Sequence, residues 1–300
     1  MNFTVIPQIT VTAFVISLNF VLKGFIMIEV IQGALGSGKS AVATARGLAH
    51  IKEGGVVAAN FALVDGWADV LAGRTLLARF SPEYRYEQAV SAYNRFFFVN
   101  SLEAIEKINP KQLAVHRQKT HGKYQEGQGL LILDECQLVF NSRKWEKNFS
   151  WIKFFTQSRK LGWNVLLIAH TIEMIDSQIR PLCEYESRFR NLQRITFPLT
   201  PIPLSPFPCF LVIRRYAGLG AGSSVIAGRG LYPLPLWAAS LYDSLKVFST
   251  EPTDADVVPV LCGSPPPYPQ DLAVRVPDRE HRSTCDCLWS KQDSFFQRDF

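Results

Sequence analysis

The sequence predicts an α/β fold in which a mostly parallel sheet is flanked by helices and carries an added antiparallel hairpin at its edge. Three observations predict this fold. Short aliphatic runs without polar alternation are typical of parallel strands that are buried on both faces. Helical stretches alternate with these runs along the chain. Beyond residue 185 two extended segments, 186–197 and 207–220, are joined by a Pro-rich bend and predict the hairpin.

The first strand, loop and helix form the most informative stretch of the chain. IEVIQ (28–32) predicts a buried strand, and the Ala-rich KSAVATARGLAHIK (39–52) predicts a helix. Between them, residues 33–40 match G-x-x-x-x-G-K-[ST], the pattern of a phosphate-binding loop. Glycines allow a tight turn in which backbone N–H groups and the positive end of the helix face phosphate oxygens. A glycine-rich turn that only caps the helix is the alternative interpretation.

The loop predicts the P-loop NTPase fold, with ATP and Mg²⁺ as ligands. Lys39 would reach the β and γ phosphates and serve catalysis, and the Ser40 hydroxyl would bind Mg²⁺. The predicted nucleotide-binding residues of this stretch are Gly33, Gly36, Ser37, Gly38, Lys39, Ser40 and Ala41.

A pair of acidic residues follows another aliphatic run, GLLILDECQ (129–137). We expect this run to be a buried strand that neighbours the loop strand, with Asp134 at its carboxyl end holding Mg²⁺ through water. Glu135 is then placed to orient or deprotonate the attacking water, which favours hydrolysis over transfer to a small acceptor. Two acids exposed to solvent at the end of a strand are the alternative.

A third aliphatic run, NVLLIAHT (164–171), ends in two polar residues. His170 and Thr171 lie where a residue that senses the state of the nucleotide is expected, because a polar side chain there can bond the γ phosphate or the attacking water. The competing account makes Thr171 only the cap of the next helix, although the acid of a capping box is missing three residues later.

The other predicted elements are shorter or more polar. Ser101 is expected to begin a helix, and Gly162 is expected to end one. The elements are strands at 55–63 and 96–100, helices at 101–108 and 145–163, and an exposed loop at 116–129.

Composition limits the class of protein that this chain can be, but it says little about function. A hydrophobic content of 47% over 300 residues supports an ample core and excludes a disordered chain. The net charge of +6 allows contact with nucleic acid or anionic lipid without requiring it. Basic clusters such as RFRNLQR (188–194) are most simply solvated surfaces. Six irregularly spaced cysteines indicate a reducing compartment.

The first 26 residues differ in character from the rest of the chain. Residues 3–22 carry no charge and are long enough to span a bilayer. One interpretation is a membrane anchor, with Lys23 favouring a cytoplasmic remainder. We favour an over-extended start, with translation from Met27, because a membrane helix this close would crowd the strand that leads into the loop.

Five segments together carry a family resemblance: MIEVIQGALGSGKS, GLLILDECQ, SRKLGWNVLLIAHTIEMIDSQIR, EYESRFRNLQRI and FLVIRRYAGLG. Residues 27–248 closely resemble the ATPase domain of the zonular occludens toxin (Zot) family, which includes the gene I assembly proteins of filamentous phages. The resemblance implies a homo-oligomeric P-loop ATPase that drives assembly and export of single-stranded DNA phage particles. It further implies phage coat and export-channel proteins as partners, and a place in the host cytoplasm at the bacterial inner membrane.

Two departures from that family concern the end of the chain. Its members carry a membrane helix after the ATPase domain, whereas no charge-free stretch of bilayer length follows residue 200 here. Residues 251–300 are Pro-rich and without period, so we predict three parts: an apolar extension (1–26), the ATPase domain (27–248) and an irregular tail (251–300).

An oligomeric ATPase of this kind often completes its catalytic site with an arginine from the next subunit. Arg159, at the end of the helix before the third aliphatic run, is the first candidate and Arg180 the second. A cation that only satisfies the helix dipole is the competing account of either residue. Two other functions remain open: a scaffold or toxin-like binding protein with a vestigial nucleotide site, and a translocase that acts on DNA directly.

Overall fold

A mixed sheet of nine strands organises the residues that the computed structural model describes, which are 28–115, 127–140, 145–196, 203–217, 225–242 and 259–267. The strands are β1 (Ile28–Gln32), β2 (Val56–Ala59), β3 (Phe96–Phe98), β4 (Gly129–Leu133), β5 (Trp163–Ala169), β6 (Tyr185–Asn191), β7 (Cys209–Tyr216), β8 (Ile226–Pro233) and β9 (Val260–Leu261). Their order is β8-β7-β6-β1-β5-β4-β2-β3-β9. The six strands from β6 to β3 pair in parallel, and both edges are antiparallel.

Helices cover both faces of this sheet. They are α1 (Lys39–Lys52), α2 (Trp67–Ala72), α3 (Pro82–Tyr93), α4 (Leu102–Glu106), α5 (Pro110–Leu113), α6 (Cys136–Val139), α7 (Trp145–Leu161) and α8 (Leu236–Ala239). Short 3₁₀ turns occur at Leu77–Arg79, Ile172–Met174, Arg180–Leu182 and Leu192–Arg194. Ser101 accepts a backbone hydrogen bond from Ala104 at the start of α4, and Gly162 adopts a φ of +88° just after α7. The predicted start and stop signals are therefore confirmed at these two positions.

Successive residues of the central strands point to two different cores. Ile31, Val57 and Ala59 belong to the core beneath α1, α2 and α3. Val30 and Ala58 belong to the opposite core, which α4 and α7 cover. Because β2, β4 and β5 are buried on both faces, they carry mainly apolar runs, which is why this part of the sheet could be predicted from sequence.

The order of the central strands differs from one expectation. The strand that ends in Asp134 was expected beside the loop strand, but β5 lies between β1 and β4. Parallel strands joined by helical crossovers need not be sequential neighbours, so the sequence alone does not set their order. The carboxyl ends of all three strands still meet at one edge.

The predicted hairpin is present and is larger than expected. β6 and β7 pair antiparallel, but β6 also pairs in parallel with β1, so it belongs to the main sheet. β8 adds a further antiparallel strand that the sequence did not predict. It contains Gly228, Gly230 and Pro233, which are residues that weaken a strand pattern. Together β6, β7 and β8 are called the antiparallel extension below.

Part of the predicted irregular tail packs on the domain. β9 pairs with β3, and the next residue, Cys262, is 1% exposed. The Trp67 indole donates a hydrogen bond of 2.9 Å to the Cys262 carbonyl, and the Leu63 amide lies 3.0 Å from the Cys262 sulfur. Tyr93 donates to the carbonyl of Gly263 at 3.0 Å. Residues 259–267 therefore hold α2 and α3 against the sheet.

Several predicted segments lie outside the described residues. They are residues 1–27, residues 116–126 of the predicted loop, and most of 251–300. Among the helices that are described, none combines the length and the apolar character needed to cross a bilayer.

A buried ionic cluster ties the loop strand to its surroundings. Glu29, the second residue of β1, is fully buried and accepts a hydrogen bond from Ser187 on β6. Arg46 of α1 lies 2.7 Å from one of its carboxylate oxygens, and Arg214 of β7 lies 3.3 Å from the other. Burial alone would raise the pKa of Glu29, but the two guanidinium groups and Ser187 outweigh it and leave the pKa below its ordinary value.

Glu29→Gln is expected to lower the free energy of unfolding by about 3 kcal/mol, because it leaves two buried guanidinium groups without a counter-charge. Urea denaturation measures this loss. The matched control is Asp69→Asn, which breaks an exposed pair with Arg85 and should cost less than about 1 kcal/mol. Equal losses in both variants would contradict the role of the buried cluster.

The same cluster predicts a pH dependence. Because the folded-state pKa of Glu29 is depressed, its stabilisation is present above the ordinary pKa of 4.5 and is lost as pH falls through the folded value. The stability difference between wild type and Glu29→Gln should therefore shrink in that acidic range.

Candidate functional site

The loop between β1 and α1 has the backbone of a tight anion-binding turn. Gly36 and Gly38 adopt φ values of +67° and +80°, in the left-handed region that favours glycine. Gly38 caps α1, and its carbonyl accepts the Val42 amide at 2.9 Å. The first backbone amides of α1 therefore face the space enclosed by the loop, as an anion site requires.

The antiparallel extension packs directly on the glycines of this loop. A Cβ added to Gly38 would lie 2.4 Å from the ring of Phe210, which is 3% exposed. A Cβ on Gly33 would lie 2.9 Å from the carbonyl oxygen of Phe189. Glycine is required at Gly38 by both its backbone angle and its neighbour, and at Gly33 by close packing alone.

The Lys39 side chain extends across the inside of the loop. Its Nζ donates to the carbonyl oxygens of Gly33 at 2.8 Å and Ala34 at 3.3 Å, and the residue is 6% exposed. Burial lowers the pKa of Lys39, while the nearby charges of Glu135 and Asp134 raise it. The ammonium group is thus held between the loop and the acidic pair.

Asp134 is the centre of the acidic side of the site. It is 2% exposed, and it hydrogen-bonds the hydroxyl groups of Ser40 and Tyr242, the latter at 3.0 Å. Asn60, just after β2, donates to the Asp134 carbonyl at 2.8 Å and accepts its amide at 2.7 Å. Burial raises the pKa of Asp134, although these hydroxyl groups and the amide of Glu135 oppose the rise. A cation beside it would relieve the cost of burying this carboxylate.

The donors at this point fit Mg²⁺. Ser40 and Asp134 supply hard oxygen ligands, and their mutual hydrogen bond places the two oxygens side by side. Tyr242 bonds both residues as well, so a third oxygen lies at the same place.

Tyr242 and Asn60 were missed by sequence reasoning. Asn60 follows a predicted strand as a polar residue, and that signal could have found it. Tyr242 lies 108 residues from Asp134 and stands in no motif, so nothing local indicates it.

Glu135 has the one unusual backbone among the described non-glycine residues. Its φ of 48° and ψ of 44° are left-handed, a conformation that costs about 1–3 kcal/mol and recurs at functional sites. Its carboxylate lies 3.4 Å from His170 Nε2 and accepts a hydrogen bond from the Gln137 amide. The strained turn places the carboxylate between His170, at the end of β5, and Gln137 of α6.

The residues after β5 lie beside the loop, as expected. The Gly33 amide donates to the His170 carbonyl at 3.3 Å. Thr171 starts a 3₁₀ turn but makes no side-chain cap, and its hydroxyl instead bonds the carboxylate of Glu173. Gln32, at the end of β1, accepts the Ile172 amide at 3.1 Å and fixes this turn to the loop strand.

A cavity of about 660 Å³ opens on the outer side of the loop. It extends from the end of β5 across the loop to the turn after β6. Its lining includes Gly33, Ser37, His170, Thr171 and Arg194.

The two predicted arginines lie apart from this cavity. Arg180 donates to the carbonyl oxygens of Ile175 at 2.7 Å and Glu173 at 2.5 Å, so backbone groups engage its guanidinium. Arg159 lies in the last turn of α7, just before β5, at the sheet edge opposite the loop. It cannot contact the loop of its own chain, and a contribution to a neighbouring copy stays a prediction.

The fold and loop define this chain as having the P-loop NTPase fold. Residues 27–200 match the family described as zonular occludens toxin (Zot), so the chain belongs to that family and the predicted resemblance is confirmed.

Curated relatives agree with this membership. The gene 1 proteins of Enterobacteria phage I2-2 and Salmonella phage IKe are each 27% identical over 256 residues, covering 80% of this chain and 62% of the relative. The gene 1 protein of Enterobacteria phage M13 is 40% identical over 73 residues, covering 23% of this chain and 21% of the relative. The chain therefore spans about 62% of the length of the first two relatives.

Solved structures give more distant likenesses. The N-terminal domain of zonular occludens toxin from Neisseria meningitidis has a TM-score of 0.39 at 14% identity, covering 73% of this chain and 99% of that domain. A DnaB-like replicative helicase has a TM-score of 0.43 at 12% identity, covering 79% of this chain and 66% of the helicase chain.

Gly38→Ala is expected to lower the free energy of unfolding by about 1–3 kcal/mol more than Gly66→Ala does, because of overlap with Phe210. Gly66 is a matched control, since it caps α2 with a φ of +77° and has nothing within 4 Å of an added Cβ. Urea denaturation without nucleotide measures both. Equal losses would mean that backbone strain alone requires the loop glycine.

Proposed function

We propose that this chain is a Mg²⁺-dependent ATP hydrolase that powers the assembly and export of filamentous phage particles at the inner membrane of the bacterial host. One observation carries the enzymatic part: Lys39, Ser40, Asp134 and Glu135 converge at the carboxyl edge of β1 and β4. Phosphoryl transfer to water needs a cation, metal ligands and a carboxylate that activates water, and these four residues would supply them at one loop.

Each residue has a distinct task in this proposal. The loop amides and Lys39 bind the phosphates, and the lysine charge offsets charge on the β and γ phosphates. Ser40 and Asp134 hold Mg²⁺, which supplies further positive charge when bound. Glu135 orients the attacking water and accepts its proton. His170, 3.4 Å from the Glu135 carboxylate, positions that base and senses the terminal phosphate.

The assembly role rests on family membership and on the gene 1 relatives. On that basis the partners are further copies of this chain, phage coat and export-channel proteins, and single-stranded DNA. A scaffold with a vestigial nucleotide site would not need all four site residues. A translocase would act on DNA directly, and stimulation of ATP turnover by phage single-stranded DNA would favour it.

Lys39→Ala is expected to weaken ATP binding at least about tenfold, because it removes the cation at the β and γ phosphates. Glu135→Gln should keep ATP affinity within about threefold but lower turnover by about 10²–10⁴-fold, because water activation is lost while binding groups remain. Equilibrium binding of a fluorescent ATP analogue and phosphate release measure the two effects.

The control is Lys52→Ala, an exposed lysine at the far end of α1 that should leave both quantities unchanged. Equal loss of binding in the Lys39 and Glu135 variants would contradict the assigned roles. A wild-type protein that binds ATP without hydrolysing it would favour the scaffold instead.

A further inference from the structure

The basic segment RFRNLQR (188–194), most simply a solvated surface by sequence, ends at the phosphate loop. We propose that Arg194 is a catalytic residue that contacts the terminal phosphate of ATP bound to its own chain. This inference rests on the proposed ATP hydrolysis, and it identifies the arginine whose positive charge would assist that reaction.

The guanidinium of Arg194 lies against the loop. Its Nη1 donates to the Leu35 carbonyl at 3.0 Å. A Cβ added to Gly36 would lie 2.4 Å from Nη2 and 3.1 Å from Cζ of Arg194. The planar group therefore lies over the middle of the loop, beside Gly36.

The turn that carries Arg194 is fixed on its N-terminal side. Asn191 caps the 3₁₀ turn by accepting the Gln193 amide at 2.9 Å, and Leu192 is buried. Upstream, the Phe189 carbonyl is in close contact with Gly33. Arg194 is thus attached to the loop of its own chain by a short segment that packs against it.

Arg194 also lines the cavity beside the loop. Arg194 lines the same cavity as His170, which lies 3.4 Å from the Glu135 carboxylate. Ser37 also lines it, with a hydroxyl that is buried and has no hydrogen-bond partner among the described residues. Arg194 and the unpaired Ser37 hydroxyl therefore face the cavity that reaches His170, where both are available to phosphate oxygens.

Arg188, Arg190 and Arg194 all line the cavity, and Arg194 is the one whose guanidinium hydrogen-bonds a carbonyl of the loop. Arg188 is paired with Glu186 at 2.8 Å, and Arg180 is bonded to backbone carbonyls. Across the described part of the chain, Arg194 takes part in no ion pair, and its hydrogen bond goes to a neutral carbonyl. Its charge is therefore not neutralised by a carboxylate, and a guanidinium can bind two phosphate oxygens at once.

ATP hydrolysis is favoured by a positive charge at this position. Water oxygen bonds to the γ phosphorus, a water proton passes to Glu135, and the bond from phosphorus to the β–γ bridging oxygen breaks. Negative charge grows on the leaving ADP and on the equatorial oxygens, and a nearby arginine stabilises it.

The test compares Arg194→Ala, Arg194→Lys and wild type. Arg194→Ala should lower ATP turnover by about 10²–10³-fold while ADP affinity stays within about threefold, because the arginine acts on the transition state. It should also abolish tight binding of ADP with aluminium fluoride, and Arg194→Lys should recover only part of both properties. Arg229→Ala, an exposed arginine on β8, is the control and should match wild type.

Three results would overturn the inference. Arg194→Ala with wild-type turnover removes the catalytic role, provided that wild type hydrolyses ATP; if wild type does not, the proposed function fails as well. Loss of ADP affinity and thermal stability in proportion to turnover would make Arg194 only a support for the loop. Restored turnover on mixing Arg194→Ala with Lys39→Ala protein would show that the arginine acts on a neighbouring copy, as predicted for Arg159.

Discussion

The site depends on a buried charge cluster below the phosphate loop. Glu29 lies three residues before the end of β1, and its carboxylate joins that strand to α1 and to β6 and β7. The two ends of the loop and the antiparallel extension that covers it therefore share one anchor. A loop that must present its amides within a fraction of an ångström needs such support, because preorganised donors are effective only when they do not move.

The geometry of a parallel sheet brings the other residues of the site together. Strands that run in one direction end at one edge, so residues far apart in sequence meet there. Lys39, Asp134 and His170 are brought together in this way although β5 separates β1 from β4. The antiparallel extension closes one side of the loop, where β7 brings Phe210 and the turn after β6 brings Arg194 onto the glycines.

How much of this the sequence could predict depends on how local the signal is. The loop residues stand in one contiguous motif, and Asp134 and Glu135 end an apolar run. The types of these residues and of their sequence neighbours were therefore enough to predict them. Arg194 and Tyr242 could not be found in this way, because they lie 159 residues from Leu35 and 108 from Asp134 respectively. Glu29 was hidden for a different reason: one acid within IEVIQ indicates no partner until the fold brings two arginines to it.

The contact between Cys262 and α2 has a consequence for biosynthesis. The Trp67 indole and the Leu63 amide find their partners 195 and 199 residues further along the chain. While the ribosome is still translating the intervening sequence, these buried donors have only water, and one edge of the sheet is uncovered. Contacts of such long sequence separation form late and slowly. These contacts around α2 can therefore be completed only after residue 262 has left the ribosome.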